Sequence, residues 1–127
     1  MTDTYVYLIR EADWDSDGVL NATPTAESDE PMFPEHAAFQ KAVADLGARI
    51  VGASALQNTS HGGTVKPGKG DRKVEDAVWT DGPFADTTEV ITGYYAVEVD
   101  DPEVARKLAA MVPSGGLVEW RKVFPIG

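Results

Sequence analysis

The chain has no cysteine among its 127 residues. This absence excludes disulfides, thiolate nucleophiles, iron–sulfur clusters and zinc sites built on cysteine. The two histidines, His36 and His61, do not have the spacing of metal ligands, and Gly68-Lys69-Gly70 does not have the spacing of a Walker motif. A Gly-x-Ser-x-Gly motif is also missing. The sequence therefore predicts no metal and no cofactor, and it disfavours phosphate-binding and serine hydrolase functions.

Positive charge and long apolar runs are scarce as well. Eleven Lys and Arg stand against 21 Asp and Glu, which gives a net charge of −10 at pH 7. Nucleic acids and anionic membranes are bound mainly by clustered cations, so we expect neither as a partner. The first thirty residues contain scattered charges instead of an apolar run that would serve as a signal peptide or membrane span, which predicts a cytoplasmic protein.

The hydrophobic and charged fractions, 43% and 25%, are ordinary for a globular protein, and the length fits one domain over residues 1–127. Segments rich in β-branched and aromatic residues predict strands, and amphipathic segments that begin at prolines predict helices. Residues 11–33 show no apolar period and are predicted to form a long loop. The predicted strands are residues 4–10, 49–56, 90–99 and 117–124, with a hairpin of 64–66 and 74–80; the predicted helices start at Pro34 and Pro102 and end at Gly47 and before Pro113.

Each predicted helix has one apolar stripe that we expect to face a sheet. The stripe of the first helix is His36, Phe39, Val43 and Leu46, and that of the second is Val104, Leu108, Met111 and Val112. The element order contains two βαβ-like halves, which predicts an α+β, ferredoxin-like fold with two helices on one face of an antiparallel sheet. The other face of the sheet needs cover, and a homodimer would supply it.

The string from Asp81 to Glu89, DGPFADTTE, resembles the DGPF signature of the YCII-related family. The resemblance extends to the aromatic first strand, the helix around Phe39, the Gly93-Tyr94-Tyr95 segment and residues 118–121. It implies a ferredoxin-like homodimer of the dimeric α/β barrel type, with a pocket built around a His and an Asp. A few members of the family resemble small-molecule lyases or dehalogenating enzymes.

Transferred by position, the resemblance implies His36 and Asp81 as a catalytic pair that acts on a small-molecule substrate. The residues that it implies for the substrate pocket are Gly82, Pro83, Phe84 and Glu89. His36 lies in the first turn of its helix, where the helix dipole favours the neutral imidazole that a general base requires. A carboxylate on one ring nitrogen would fix the tautomer and stabilise the imidazolium.

Structural interpretations stay open for the same residues. The alternative for His36 is a half-buried helix residue with a backbone partner, and Asp81-Gly82-Pro83 has the composition of an ordinary turn. Phe84 would then be a core residue and Glu89 a solvated charge at the rim. A non-catalytic dimeric binding or regulatory module of the same fold is the alternative function.

One further motif has some features of a metal site. Asp13, Asp15 and Asp17, followed by Gly18, match the first half of an EF-hand loop. The twelfth position, however, is Pro24 where calcium requires a bidentate Glu, and a strand precedes the loop where a helix is needed. The sequence therefore favours a solvated loop over a calcium site.

Overall fold

The structure, a computed structural model, describes residues 2–21, 33–80 and 89–125. The elements in chain order are β1 (Asp3–Glu11), α1 (Ser16–Asn21), α2 (Pro34–Asp45), β2 (Arg49–Ala55), β3 (Thr64–Lys66), β4 (Val78–Thr80), β5 (Val90–Val99), α3 (Pro102–Met111) and β6 (Leu117–Lys122).

The four longer strands form one antiparallel sheet in the order β2-β5-β1-β6, so that β1 and β5 are central. Strands β3 and β4 pair with each other in a separate two-stranded sheet. An antiparallel sheet with β1 and β5 at its centre and a helix in each half is the ferredoxin-like arrangement. The fold class predicted from the sequence is thereby confirmed.

The core lies between one face of the sheet and helices α2 and α3. Side chains on a strand alternate between its two faces, and the alternate residues of β1 and β5 that face the helices are the buried ones. Full burial of an aliphatic side chain such as Leu108 is worth about 1.5 to 3 kcal/mol. The core residues are Tyr5, Tyr7, Ile9, Phe39, Val43, Tyr95, Val97, Val99, Ala105, Leu108 and Val112.

Four of the eight residues in the predicted helix stripes lie outside this core. His36 and Val104 are half-buried, and Val104 packs against the core. Leu46, which follows the last residue of α2, is 36% exposed, and Met111, the last residue of α3, is 47% exposed. The helix ends otherwise follow their sequence signals. The side chain of Asp101 accepts a hydrogen bond from the backbone N–H of Glu103 and caps α3, while Gly47 takes the left-handed φ of 76° that ends α2.

Several predicted boundaries differ from the structure, and among the smaller differences β2 ends at Ala55 and β6 ends at Lys122. Strand β1 continues to Glu11, and residues Ser16–Asn21 of the predicted long loop form a helix of 6 residues. The predicted strand 74–80 is shorter, since Val74–Asp76 form a 3-10 turn and only Val78–Thr80 pair with β3. Helices this short and single turns lack the apolar period on which sequence prediction depends. Within the described ranges, no helix is both long enough and apolar enough to cross a membrane.

A set of polar contacts, here called the α1 clamp, binds the start of α1 to the segment that follows β2. The Thr59 hydroxyl donates to Asp13 at 2.6 Å, the backbone N–H of Asn58 donates to the Ser16 hydroxyl at 2.7 Å, and Nε2 of His61 lies 2.6 Å from Oδ1 of Asp17. Ser16 is only 1% exposed, so its contact is the buried part of the clamp. The clamp fixes the position of residues 13–17 relative to the sheet.

Tyr7 makes a hydrogen bond across the core that we expect to be visible in the pH dependence of stability. Its hydroxyl donates to the carbonyl of Ala105 at 2.8 Å, and burial, with a smaller effect of Tyr5, raises the pKa of Tyr7 from 10.0 to about 12. Above pH 10 the unfolded chain loses this proton while the folded chain keeps it, so the free energy of unfolding should fall as the pH rises from 10 towards 12.

The Tyr7→Phe substitution should cost about 1 kcal/mol at neutral pH, because one buried hydrogen bond is lost. It should also remove the part of the alkaline loss of stability that Tyr7 contributes, while the raised pKa of Tyr95 leaves a part in place. Urea denaturation from neutral pH to pH 12 measures both effects, and Tyr5→Phe, on the same face of β1, is the matched control. An alkaline loss that is equally large in Tyr7→Phe would contradict the assignment.

The α1 clamp predicts a second titration effect, at Asp17. The hydrogen bond from His61 is the main cause that lowers the pKa of Asp17 below its ordinary value of 3.8. The carboxylate contribution to the clamp is therefore present at neutral pH and is lost as the pH falls through the lowered pKa. Carbon-detected NMR titration should show the Asp17 pKa rising towards 3.8 in His61→Ala and staying low in His36→Ala. An unchanged Asp17 pKa in His61→Ala would disprove this coupling.

Candidate functional site

A cavity of about 500 Å³ opens between the start of α2 and one end of the sheet. A volume of this size accommodates a small organic molecule. Strands β1, β2 and β5, helix α2 and the segment before α1 all contribute to its lining. The lining residues are Ile9 and Glu11, Trp14, Phe33–His36 and Gln40, Ala53–Ala55, and Thr92–Tyr95.

His36 lines this cavity and is held from the sheet side by Tyr95. Its Nδ1 lies 2.6 Å from the Tyr95 hydroxyl oxygen, and the two rings stack at a centroid distance of 5.7 Å. Tyr95 belongs to the core face of β5, so His36 points towards the sheet, as its place in the apolar stripe of α2 predicts. Burial raises the pKa of Tyr95, against a smaller opposite effect of a hydrogen bond from Gln40. The phenol therefore keeps its proton at neutral pH.

The contact with Tyr95 determines which ring nitrogen of His36 is available to a ligand. Either atom of the pair can be the donor, depending on which ring nitrogen of His36 carries the proton. When the proton is on Nδ1, the imidazole donates to Tyr95 and the Nε2 lone pair is left for a ligand. When it is on Nε2, that nitrogen is a donor. The geometry thus leaves Nε2 as the nitrogen for proton exchange in the cavity.

Aromatic rings form two sides of the cavity. Phe33, the residue before α2, meets His36 edge to face at a centroid distance of 6.1 Å. On the opposite side, the indole N–H of Trp14 donates to the carbonyl of Leu56 at 2.8 Å. Trp14 lies between Asp13 and Asp15, so the α1 clamp that binds its neighbours also holds this ring at the cavity.

A carboxylate, Glu11, closes the end of the cavity next to β5. Its Oε1 accepts from the Thr92 hydroxyl at 2.6 Å, and its Oε2 accepts from the backbone N–H of Gly115 at 2.7 Å. Thr92 is an extra residue in β5, because Ile9 pairs with Gly93 and Arg10 with Ile91. Such a β-bulge redirects a side chain, and here it turns the Thr92 hydroxyl towards Glu11.

Gly93 allows the strands to approach each other beside the cavity. A Cβ atom at this position would lie 2.9 Å from the carbonyl oxygen of Ser54 in β2, which is closer than a carbon atom fits. The residue is buried and lines the cavity. A side chain at position 93 would therefore push β2 away from β5 and change the cavity floor.

The predicted site residues have different places in the structure. His36 lies in the cavity, whereas Asp81, Gly82, Pro83 and Phe84 are outside the described residues, so their predicted roles stay predictions. Glu89 precedes β5, and its carboxylate lies so close to Gly116 that a Cβ at that position would clash with it. The described lining of the cavity does not include Glu89, and its predicted role also stays a prediction.

Sequence reasoning missed several residues of this cavity. Tyr95 appeared only as part of a family resemblance, and Trp14, Glu11 and Thr92 were not proposed as site residues. The contact of Glu11 with Thr92 spans 81 positions and its contact with Gly115 spans 104, and no local pattern signals pairings of that length. A tyrosine on the buried face of a central strand was the one available signal, but it equally indicates a core residue.

The acidic motif of residues 13–18 serves the α1 clamp. Asp13 accepts from Thr59, Asp15 accepts from the backbone N–H of Gly18 at 2.9 Å, and Asp17 contacts His61. These three carboxylates diverge to separate partners. In the part of the chain that the structure describes, no group of three or more His, Cys, Asp or Glu side chains is arranged to hold a metal ion.

Comparisons with known proteins agree with the fold. Among the curated proteins, no match to the chain was found. The family model of the YCII-related domain matches residues 7–126, which includes β2, β5, β6, both long helices and the second half of β1. The match begins within β1 and extends beyond β6. On this basis, the chain belongs to the YCII-related family.

Proposed function

We propose that this protein is an enzyme that acts on a small organic molecule by proton transfer at His36. The observation that supports the proposal is the 2.6 Å contact between Nδ1 of His36 and Tyr95 at the wall of a 500 Å³ cavity. This contact holds the ring in one orientation and leaves Nε2 for the substrate. A positioned imidazole of this kind is the usual general base or acid in enzymes.

The reaction class that suits this arrangement is an elimination. A lyase or dehalogenating reaction of this type begins when a base removes a proton from carbon and the leaving group departs from the neighbouring atom. Nε2 of His36 would accept that proton, and Nδ1–H would donate to the Tyr95 hydroxyl throughout. The cavity is lined largely by apolar and aromatic groups, which would pack against the apolar part of the substrate.

Asp81 is the second member of the proposed pair. Since Nδ1 of His36 already contacts Tyr95, we assign to the Asp81 carboxylate the stabilisation of the imidazolium after proton transfer, instead of the fixing of its tautomer. Gly82, Pro83, Phe84 and Glu89 are proposed to border the same pocket. All of these assignments depend on the family resemblance of the DGPF-like string.

Proton transfer can be measured before the natural substrate is identified. Small carbon acids that fit the cavity would be incubated with the protein in D₂O, and exchange of the acidic C–H would be followed by proton NMR. We expect His36→Gln to slow the exchange of an active compound by about 10² to 10⁴-fold, which is the usual contribution of a positioned base. Tyr95→Phe should slow it less, because the base is still present but less well oriented.

The other histidine provides the matched control for this experiment. His61 does not line the cavity and affects it only through the α1 clamp, so His61→Gln should slow the exchange far less than His36→Gln does. Exchange that survives in His36→Gln would contradict the catalytic proposal. Compounds that bind in the cavity without any exchange would instead favour the alternative, a non-catalytic binding or regulatory module.

We also propose that the protein is a homodimer that forms through the face of the sheet opposite the helices. The centre of this open face contains Val6, Leu8, Tyr94 and Ala96, which are all half-buried. Each of its two edges carries both a positive and a negative side chain. Arg49 lies 2.7 Å from Glu98 on one edge, and Arg121 lies 3.8 Å from Glu119 on the other.

An apolar centre with both charges at the rim is what a two-fold interface requires, since the same patch must complement itself. Light scattering at micromolar concentration should give twice 13.6 kDa. Leu8→Asp would bury a charge at the centre of the interface and should shift the mass towards the monomer. The control is Val74→Asp at a site that is 75% exposed and outside the open face. A wild-type mass near 13.6 kDa would refute the dimer.

A further inference from the structure

Apart from the imidazole of His36, the side chains of the described cavity lining that can carry a charge at neutral pH are all carboxylates. The lining contains the carboxylates of Glu11 and Glu35 but no Lys or Arg side chain. Residues 1, 22–32, 81–88 and 126–127 contain no Lys or Arg in their sequence, so all eleven of these cations lie in the described ranges, and none of them reaches the cavity lining. An anionic ligand would therefore meet negative charge without a compensating Lys or Arg side chain.

Glu11 has hydrogen bonds but, within the described ranges, no counterion. Its two oxygens accept from neutral donors, the Thr92 hydroxyl and the Gly115 backbone N–H, which hold the carboxylate in place without neutralising it. Among the described residues, the ion pairs of the chain do not involve Glu11. A fixed, partly buried carboxylate at a cavity wall attracts a cation more strongly than a solvated carboxylate does, because water screens it less.

The aromatic lining favours the same kind of ligand. Trp14 and Phe33 stand at the cavity, and Tyr95 lies behind His36. Aromatic faces pack against an apolar ligand body and also attract organic cations through the ring quadrupole. The net charge of −10 adds a long-range field that concentrates cations around the protein.

From these observations we infer that the cavity binds a small organic molecule that carries a protonated amine, with Glu11 as the counterion and the Trp14 and Phe33 rings against its apolar part. The inference rests on the proposed function, because it names the substrate class of the same cavity. Glu35, in the first turn of α2, is exposed and supplies a second negative charge at the rim.

The probes are two series of matched compounds that differ in the charge of one group. Benzylamine, benzyl alcohol and phenylacetate form the first series, and tryptamine, tryptophol and indolepropionate form the second. Dissociation constants would be measured by calorimetry with the full chain at neutral pH and physiological salt. We expect each amine to bind at least about tenfold more tightly than its matched carboxylate, with the alcohol between them.

Two substitutions at the cavity and one control locate the effect. Glu11→Gln keeps an oxygen that can accept from Gly115 but removes the charge, and it should reduce the amine preference to less than about threefold. Glu35→Gln is a second variant whose exposed site makes folding secure, and it should weaken amine binding by about twofold. Glu75→Gln lies in the exposed 3-10 turn outside the cavity, changes the net charge by the same amount and should leave the preference unchanged.

The test of amine binding does not depend on the proposed catalytic role of His36. His36→Gln should retain the amine preference even if His36 proves to have no catalytic role, so loss of the proposed proton transfer does not decide this test. The inference is overturned if the carboxylates bind as tightly as the amines. It is equally overturned if no amine binds at millimolar concentration, or if Glu11→Gln and Glu75→Gln have the same effect.

Discussion

The register of β5 is the constraint on which the core and the cavity both depend. β5 pairs with β1 on one side and β2 on the other, so any shift of its pairing would disturb two ladders at once. A shift by one residue would turn Tyr95, Val97 and Val99 away from the helices and leave the core without its centre. The burial of these three side chains therefore fixes the register, and the register in turn fixes the position of the Tyr95 hydroxyl.

The bulge at Thr92 allows this fixed strand to serve the cavity. If the regular register continued beyond Gly93, Thr92 would pair with Arg10, and Ile91 would pair with Glu11 and share its face of the sheet. The bulge turns Ile91 to the other face, where it is 42% exposed, and places the buried Thr92 hydroxyl next to the carboxylate. One irregular residue thus replaces an apolar contact of Glu11 with a hydrogen bond, while the rest of β5 keeps its core pairing.

Much of this fold could be predicted from local patterns in the sequence. The alternation in residues 90–99, the prolines at the starts of α2 and α3, and Gly47 after α2 were sufficient for the main elements, because these signals act within one turn or one strand. The orientation of His36 was predictable for the same reason, since it shares a helical stripe with Phe39 and Val43.

The remainder of the site depends on interactions that no local signal encodes. The α1 clamp joins residues more than forty positions apart, as the 46-residue separation of Asp13 and Thr59 shows. Asp13, Asp15 and Asp17 match the first half of a calcium loop in residue type and spacing. The partner of Asp15 is local, the backbone N–H of Gly18. The partners of Asp13 and Asp17, however, are the Thr59 hydroxyl and the His61 imidazole, which are placed only when the segment after β2 lies beside the motif.

The walls of the cavity differ in how firmly they are held. Its floor is formed by β1 and β5, whose buried residues Ile9 and Tyr95 belong to the core and open only when the sheet unfolds. The Trp14 wall depends instead on the α1 clamp, in which Asp17 and His61 are both about half exposed. Contacts between solvated groups contribute little free energy, so local opening should cost least at this wall. A ligand that packs against Trp14 would then stabilise the least stable wall. It would leave the contact between His36 and Tyr95 unchanged, because Tyr95 belongs to the floor.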